Sequence, residues 1–384
     1  MKVKRFLVII ILLIICNGCV PDSRELDQRS MIVGMAIDKG TEKNYAVTIQ
    51  LPILTEGIGQ GVEAAPGGQE FEAFHEEADT IWDAIVKIES LTPTVLFFGH
   101  LKAVAISEAI AREDLDKVIN FLDRETTVAN QVYLLVVEEE NAEDFIKRES
   151  PLVQLPALYL SRFFDADQKI ARAQGVKLFE FLRDSNMISG ASSLPLARSK
   201  GDQMEIDGMA VFEDYKMAGK LLEREVGISE LLHDNEISSM NYTTVLDHNG
   251  VKTTVSLTRM DLRANIDYKK SEPVKFQIDV KGDAEIIDVA TVKELTDLEF
   301  ISKLETKMEK EIKEEIKRTT AKMQEMNVEP WLLGHRVWAT APSYFETLDW
   351  RETGWRDAQF DIDVTFNISN TGQRGKYDKQ KIGR

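Results

Sequence analysis

The chain has 384 residues, 43% apolar and 29% charged, which is globular material long enough for two or three cored domains and excludes a disordered tail protein. Its net charge of −18 excludes an electrostatic nucleic-acid binder and a basic membrane-surface patch. Both cysteines, Cys16 and Cys19, fall in the first twenty residues, so the body beyond them is free of disulfides and of cysteine-ligated metal.

Lys2, Lys4 and Arg5 precede an apolar run from Phe6 to Ile15, and Gly18-Cys19 closes it. The run is too short for a permanent membrane helix, which needs roughly 20 apolar residues, and the three parts together form an export signal. A small residue followed by cysteine predicts a lipoprotein signal over 1–18, with Cys19 as the lipid attachment site (S-diacylglycerol, N-palmitoyl) and 19–30 as a lipidated tether. Cys16 and Asn17 stand where that pattern prefers an aliphatic and a small residue, so an uncleaved anchor and plain secretion are the alternatives. Removal of 1–18 takes away three basic residues and no acidic ones, making the chain more acidic still.

Met31 to Asp38 reads as a strand and Lys39-Gly40 as a turn, after which Tyr45, Val47, Ile49 and Leu51 alternate with polar or small residues to complete a hairpin. The glycine-rich stretch Thr55 to Gln69 reads as a loop; its GIGQG lacks the GxGxxG spacing of a phosphate cradle. Ile81, Ile85 and Ile88 have helical spacing over Thr80 to Leu91, with Thr80 and Asp83 placed as a capping box. Leu101 to Ile106 reads as a strand, Arg112 to Arg124 as a helix, and the apolar run Val132 to Val137 as a central strand covered on both sides. Helices are expected over Ala142 to Ile146 and Val176 to Arg183. The polar stretch Ser185 to Asp202 reads as a boundary, giving an N-terminal α/β domain over 31–197.

A hairpin over Gly208 to Leu222, turning at Glu213-Asp214, and a short helix from Val226 to Asp234 make up an expected small middle domain, 198–247. A C-terminal α/β domain over 248–372 follows. There the alternation of Val251 to Leu257 changes phase before Leu262 to Ile266, which predicts a bulge near Arg259. Val274 to Val280 reads as a further strand. A long amphipathic helix spans roughly Asp297 to Met326 with Ile301, Leu304, Met308, Ile312, Ile316 and Met323 as its stripe, and Glu309–Lys313 and Glu314–Arg318 as expected ion pairs. Its charged side reads as a solvated face. The last strand alternates from Phe360 to Ile368, and 373–384 reads as a disordered tail.

The fold class is therefore mixed α/β (α+β): about three consecutive domains with mainly antiparallel mixed sheets packed by helices. No catalytic, metal or cofactor site emerges, and the reading is of a protein that is not an enzyme. His75, His100, His233, His248 and His335 are scattered and form no HxH or HExxH pair, and GxSxG, SxxK and Walker patterns are absent. Asp361 and Asp363 share a strand face, but acids are too plentiful for the pair to indicate glycosidase chemistry. Trp331, Trp338, Trp350 and Trp355 cluster late in the chain; core packing is the preferred reading over a sugar- or partner-binding surface.

Four stretches are similar to the GerAC-type spore germination lipoproteins. The opening GCVPDSRELDQRSMIVGMAIDKG matches that family's start through Cys19, Glu25, Leu26, Gly34, Ile37 and Asp38, although Val20-Pro21 replaces its usual Trp-Asp. FFGHLKAVAISEAIAREDLDKVINFLDRE resembles its strand and helix through Phe98, Gly99, His100 and Arg124. DGMAVFEDYKMAGKL resembles its hairpin through Gly208, Ala210, Val211, Phe212, Lys216, Gly219 and Leu221, and EPWLLGHRVWATAPSYFETLDW with Trp355 resembles its carboxyl end. The resemblance implies a non-enzymatic, lipid-anchored subunit of a spore nutrient germinant receptor, on the outer face of the spore inner membrane. It also implies membrane-embedded and transporter-like subunits as partners, no cofactor, and three α/β domains. The alternative is a lipid-anchored extracytoplasmic solute-binding protein serving a transporter; a cell-wall hydrolase comes third.

Overall fold

The computed structural model describes residues 29–53, 71–113, 115–148, 155–166, 172–289 and 297–370. Cys19, the signal, most of the tether, the glycine-rich loop and the tail lie outside the described residues.

A nine-stranded mixed sheet forms the larger half, in the order β11-β10-β9-β7-β6-β2-β3-β4 with β8 beside β7. Its strands are β2 (Gly34–Lys39), β3 (Tyr45–Pro52), β4 (Phe71–Ala78), β6 (Ala103–Ser107), β7 (Tyr133–Val137), β8 (Val176–Lys177), β9 (Ala191–Lys200), β10 (Gln203–Glu213) and β11 (Lys216–Leu221). A short parallel pair, β1 (Arg29–Met31) with β5 (Val95–Phe97), lies outside it. Thus the end of the expected tether is already strand.

Helices cover both faces of the large sheet. Leu134 and Val136 share a core with α1 (Ile81–Glu89), α2 (Glu108–Glu113) and α3 (Leu115–Arg124). Leu135 and Val137 face the other way, onto α4 (Ala142–Lys147) and α5 (Pro156–Asp165). That is why β7 has no alternation: all five of its residues are buried. Thr80 accepts from Asp83 N at 3.1 Å and starts α1 where the capping pattern placed it.

The smaller half is a four-stranded sheet in sequence order, β12 (Glu236–His248), β13 (Val251–Lys269), β14 (Lys275–Val289) and β15 (Gln359–Asn370), with β14 and β15 parallel. The helix α8 (Leu298–Glu325) crosses one face, its six predicted stripe residues all buried, and Asp297 caps its start by accepting from Glu299 N at 2.9 Å. Register shifts in β13 flank Arg259, whose φ is +49°, so the phase change is a bulge within one strand. The strand β15 is an edge, and α8 satisfies part of it: Glu309 accepts from Phe366 N at 3.2 Å and Glu305 from Ile368 N at 3.0 Å. Of the ion pairs expected on this helix, neither is made. Glu309 serves β15, while Arg318 and Lys317 turn to Glu315 and Glu314 at i,i+3.

The expected middle domain is divided between the two halves. Residue 197 falls inside β9, and β10 and β11 extend the large sheet through β9, which pairs in parallel with β7. The turn between them is Asp214-Tyr215, with φ of +44° and +64°, as in the primed turns that match strand twist. The polar stretch at 247–250 is likewise a hairpin turn, with Asn249 and Gly250 at φ +54° and +76°, joining β12 directly to β13. Helix α6 (Leu178–Ser185) and helix α7 (Arg224–Asp234) stand where the two halves meet. After α8 come α9 (Leu333–Thr340), α10 (Pro342–Phe345), a π turn at Trp350–Gly354 and α11 (Trp355–Asp357).

Candidate functional site: a buried polar seam between the halves

A cluster of ionisable groups forms where α6, α7 and the start of α9 converge; Asp184 and Glu329 are buried, Glu230, His233 and Arg336 half-buried, and Arg183 and Asp234 exposed. At the end of α6, Arg183 donates to Asp184 through Nε at 2.7 Å and Nη2 at 3.2 Å. From the end of α7, His233 approaches the same carboxylate through Nε2 at 3.5 Å and holds Asp234 through Nδ1 at 2.5 Å. Burial alone would lower the His233 pKa, but the two carboxylates outweigh it and push it up to about 10. Burial likewise works against the Asp184 carboxylate, and His233 and Arg183 hold it below its ordinary range. His233 is therefore a cation at neutral pH and is not available as a general base.

Asn235 ends α7 in the left-handed conformation at φ +67°. Arg336, one turn into α9, donates to Asn235 Oδ1 at 2.9 Å and to the His233 carbonyl at 3.2 Å, closing the C-terminus of α7. Glu329 lies beneath, 3% exposed, and accepts backbone N–H groups of Trp331, Leu333 and Gly334 at 2.8, 3.0 and 3.0 Å. Burial pushes its pKa up to about 7 against those three donors. Trp331 Nε1 donates to Ser229 Oγ of α7 at 2.8 Å, tying the segment to the helix. Also on α7, Glu230 accepts from Gln174 Nε2 at 3.0 Å, and burial, with Asp234 adding, pushes it up to about 8. A polar cavity of about 110 Å³ lies between Arg183, Asp184 and Ser193 on one side and Ser229, His233 and Pro330 on the other.

Three further ties cross between the halves. Lys322 of α8 meets Glu225 of α7 at 2.6 Å, Arg351 meets Asp214 of the β10–β11 turn at 3.1 Å, and Gly219 of β11 leaves room for the Met326 thioether. Lys220, also on β11, binds Glu108 at 3.1 Å and Glu138. Such an arrangement fastens elements together. No group of three or more His, Cys, Asp or Glu among the described residues has the geometry to hold a metal ion.

The remaining residues singled out by sequence do not come together. His75 sits with Thr48 Oγ1 and Glu143, each at 3.0 Å; His248 with Asp297 at 3.1 Å; His100 faces Phe97 and His335 faces Trp338. Asp361 pairs with Lys275 at 3.1 Å, and Asp363 lies 3.9 Å from Lys313. Trp331, Trp350 and Trp355 are core, while Trp338 is exposed. Cys19 lies outside the described residues. Glu230 and Glu329 carry no signal of their own in the sequence, and His233 reads there only as one of five scattered histidines; its signal is His-Asp-Asn closing a helix, a combination that places a cation and a left-handed cap together.

The motif residues behave as joints. Asp38 ends β2 and caps the distant helix α4, accepting from Ala142 N at 2.7 Å and Glu143 N at 2.9 Å, where Asn141 gives no side-chain cap. A Cβ on Gly34 would lie 2.6 Å from the Ala157 Cβ, so α5 packs directly on that strand. Gly334 similarly admits the Trp350 ring, whose Cε2 would be 2.6 Å from an added Cβ.

Fold and seam together define a multi-sheet α/β protein whose two halves share an apolar core and are tied by a partly buried charge network. The family model described as "Spore germination protein N-terminal domain" matches residues 22–199, and that described as "Spore germination B3/GerAC like, C-terminal" matches 207–372. The chain belongs to the GerAC-type spore germination protein family. It is 23% identical to spore germination protein KC of Bacillus subtilis (strain 168), covering 99% of this chain and 98% of that one. With GerQC of Bacillus cereus it shares 21% identity over 96% of this chain and 99% of the relative. The crystal structure of the GerBC protein superposes with a TM-score of 0.52 at 18% identity, covering 87% of this chain and 96% of that one, which shows the common fold.

Proposed function

We propose that this chain is a non-enzymatic, lipid-anchored subunit of a spore nutrient germinant receptor. In this reading Cys19 carries the lipid and holds the chain on the outer face of the spore inner membrane, beside membrane-embedded and transporter-like subunits. Its task is to help assemble the receptor and to couple nutrient binding to germination. The observation that carries the reading is the pair of family matches, in order over 22–199 and 207–372. A rigid joint suits a part that transmits force between partners, since coupling needs elements that move as units.

The test is co-purification. Full-length chain, affinity-tagged at its C-terminus and solubilised from spore inner membranes in mild detergent, should bring down polytopic membrane proteins in fixed proportion, with Cys19 lipidated by mass spectrometry. A chain that emerges alone, or that binds amino acids or sugars tightly by itself in calorimetry, contradicts the proposal and favours solute capture.

A further inference from the structure

Helix α1 turns two large apolar side chains outward. Ile81, Ala84, Ile85 and Ile88 are buried, whereas Trp82 and Val86, one turn apart, are 53% and 45% exposed. Leu91 and Val95, just beyond the helix, are 55% and 40% exposed. Aromatic contacts lead from this face towards the point where the described chain begins. Trp82 meets Phe121 at 6.5 Å, Phe121 meets Phe98 at 6.0 Å, and the neighbouring Phe97 carries the Arg29 guanidinium at 4.8 Å. Arg29 itself pairs with Val95 in the β1–β5 ladder.

We propose that this face, built on Trp82, Val86, Leu91 and Val95, rests on the lipid bilayer and fixes the orientation of the protein there. The inference depends on the reading of Cys19 as the lipid-bearing residue. From Cys19 to Arg29 is only about ten residues, which span about 35 Å at full extension. The bilayer is thus held within that reach of Val95. Tryptophan beside aliphatic side chains is the composition that settles at the headgroup boundary. Two of the acids beside the face are paired with cations, Asp83 at 3.5 Å from Lys87 and Asp79 at 3.0 Å from Lys43, which reduces the repulsion from anionic headgroups on an otherwise acidic protein. A second set of exposed apolar residues, Val245, Val251, Ile287 and Leu298, belongs to the four-stranded half, away from the tether entry, and supplies the comparison.

The cysteine pattern makes the test clean. Cys16 leaves with the signal and the Cys19 thiol is consumed by lipid, so a single introduced cysteine is the sole free thiol. Full-length lipidated Val86→Cys and Val251→Cys variants, each labelled with an environment-sensitive fluorophore, are placed in bilayer nanodiscs with and without brominated acyl chains. At residue 86 the emission should shift to the blue and be quenched by about half, as for a side chain buried roughly 5–10 Å into the interface; at residue 251 neither should occur. Adding Trp82→Glu should abolish most of the quenching at residue 86 and leave the melting temperature unchanged. Three results overturn the proposal. One is no quenching at residue 86 while the chain stays on the discs, which assigns the face to solvent or a protein partner. Another is quenching at residue 251 alone. The last is a chain that leaves the discs with Cys19 unmodified, which removes the anchor as well.

Discussion

On β7 of the large sheet the neighbours Leu134 and Leu135 are both fully buried, because α1 to α3 cover one face and α4 and α5 the other. On β14 of the small sheet the neighbours Ile278 and Asp279 divide, the first buried beneath α8 and the second exposed on an open face. The same secondary structure thus carries a continuous apolar run in one half and strict alternation in the other. One half is a doubly covered slab; the other leaves a polar sheet face free. The seam is where the two kinds of packing are fastened, and its charges lie beside an apolar core that continues from one sheet to the other.

Substitutions test that contrast most strongly. Leu134→Ala and Leu135→Ala should each cost about 3 kcal/mol, as for large-to-small changes at closed sites. Ile278→Ala should cost a similar amount, and Asp279→Ala about 0.5 kcal/mol or less. Denaturant unfolding of the purified variants measures all four. A large difference between Leu134 and Leu135 would break the two-face description of β7.

At the seam, His233→Ala leaves Asp184 with Arg183 alone and Asp234 without its cation, and should cost about 1–2 kcal/mol. Its signature is a loss of cooperativity: near- and far-ultraviolet melts that coincide in the parent should separate as the halves come apart. Coincident melts in the variant would contradict the role given to the seam.

The pH dependence sharpens the point. His233 is raised from 6.5 to about 10, Glu230 from 4.5 to about 8 and Glu329 from 4.5 to about 7. In each case the folded state holds its proton more tightly than the unfolded chain. The stabilisation is fully present below the unfolded pKa and is lost as pH rises through the folded one. Stability should therefore fall from about pH 5 towards pH 10, most steeply near pH 7, where the ranges of all three groups overlap, and least steeply above about pH 8. Glu230→Gln, which keeps the Gln174 hydrogen-bonding partner in neutral form, should flatten the part of that decline between about pH 5 and pH 8. An unchanged slope would show that Glu230 does not titrate differently in the folded state.

The smallest effect is at the edge of the open sheet. Glu305→Ala removes the acceptor for Ile368 N and should cost about 1 kcal/mol, with faster amide exchange confined to β15.

What sequence could and could not reveal follows from this contrast. The strands β13, β14 and β15 announced themselves by alternation, the bulge at Arg259 by a change of phase, and α8 by its stripe and Asp297 cap. The strand β9 was hidden because its residues are ASSLPLARSK. Ser192 is buried there by bonding to Ser185 Oγ at 2.9 Å, and Pro195 stands beside a register shift, so polar residues and a proline resembled a linker. At the 247–250 stretch, Asn249-Gly250 carries a hairpin signal, but its polar composition equally fits a boundary. Within the seam, Glu329 was visible only as part of a family-like stretch, since nothing in a local pattern tells that three backbone donors converge on it.

The central claim is that this chain works as a germinant-receptor subunit. It is tested most directly by removing its gene, together with any paralogue, from a sporulating host and following spore germination by loss of refractility. The account predicts that the response to at least one nutrient is abolished or strongly slowed, is restored by the full chain, and is accompanied by normal germination with non-nutrient triggers. An undiminished response to every nutrient in that strain would contradict it.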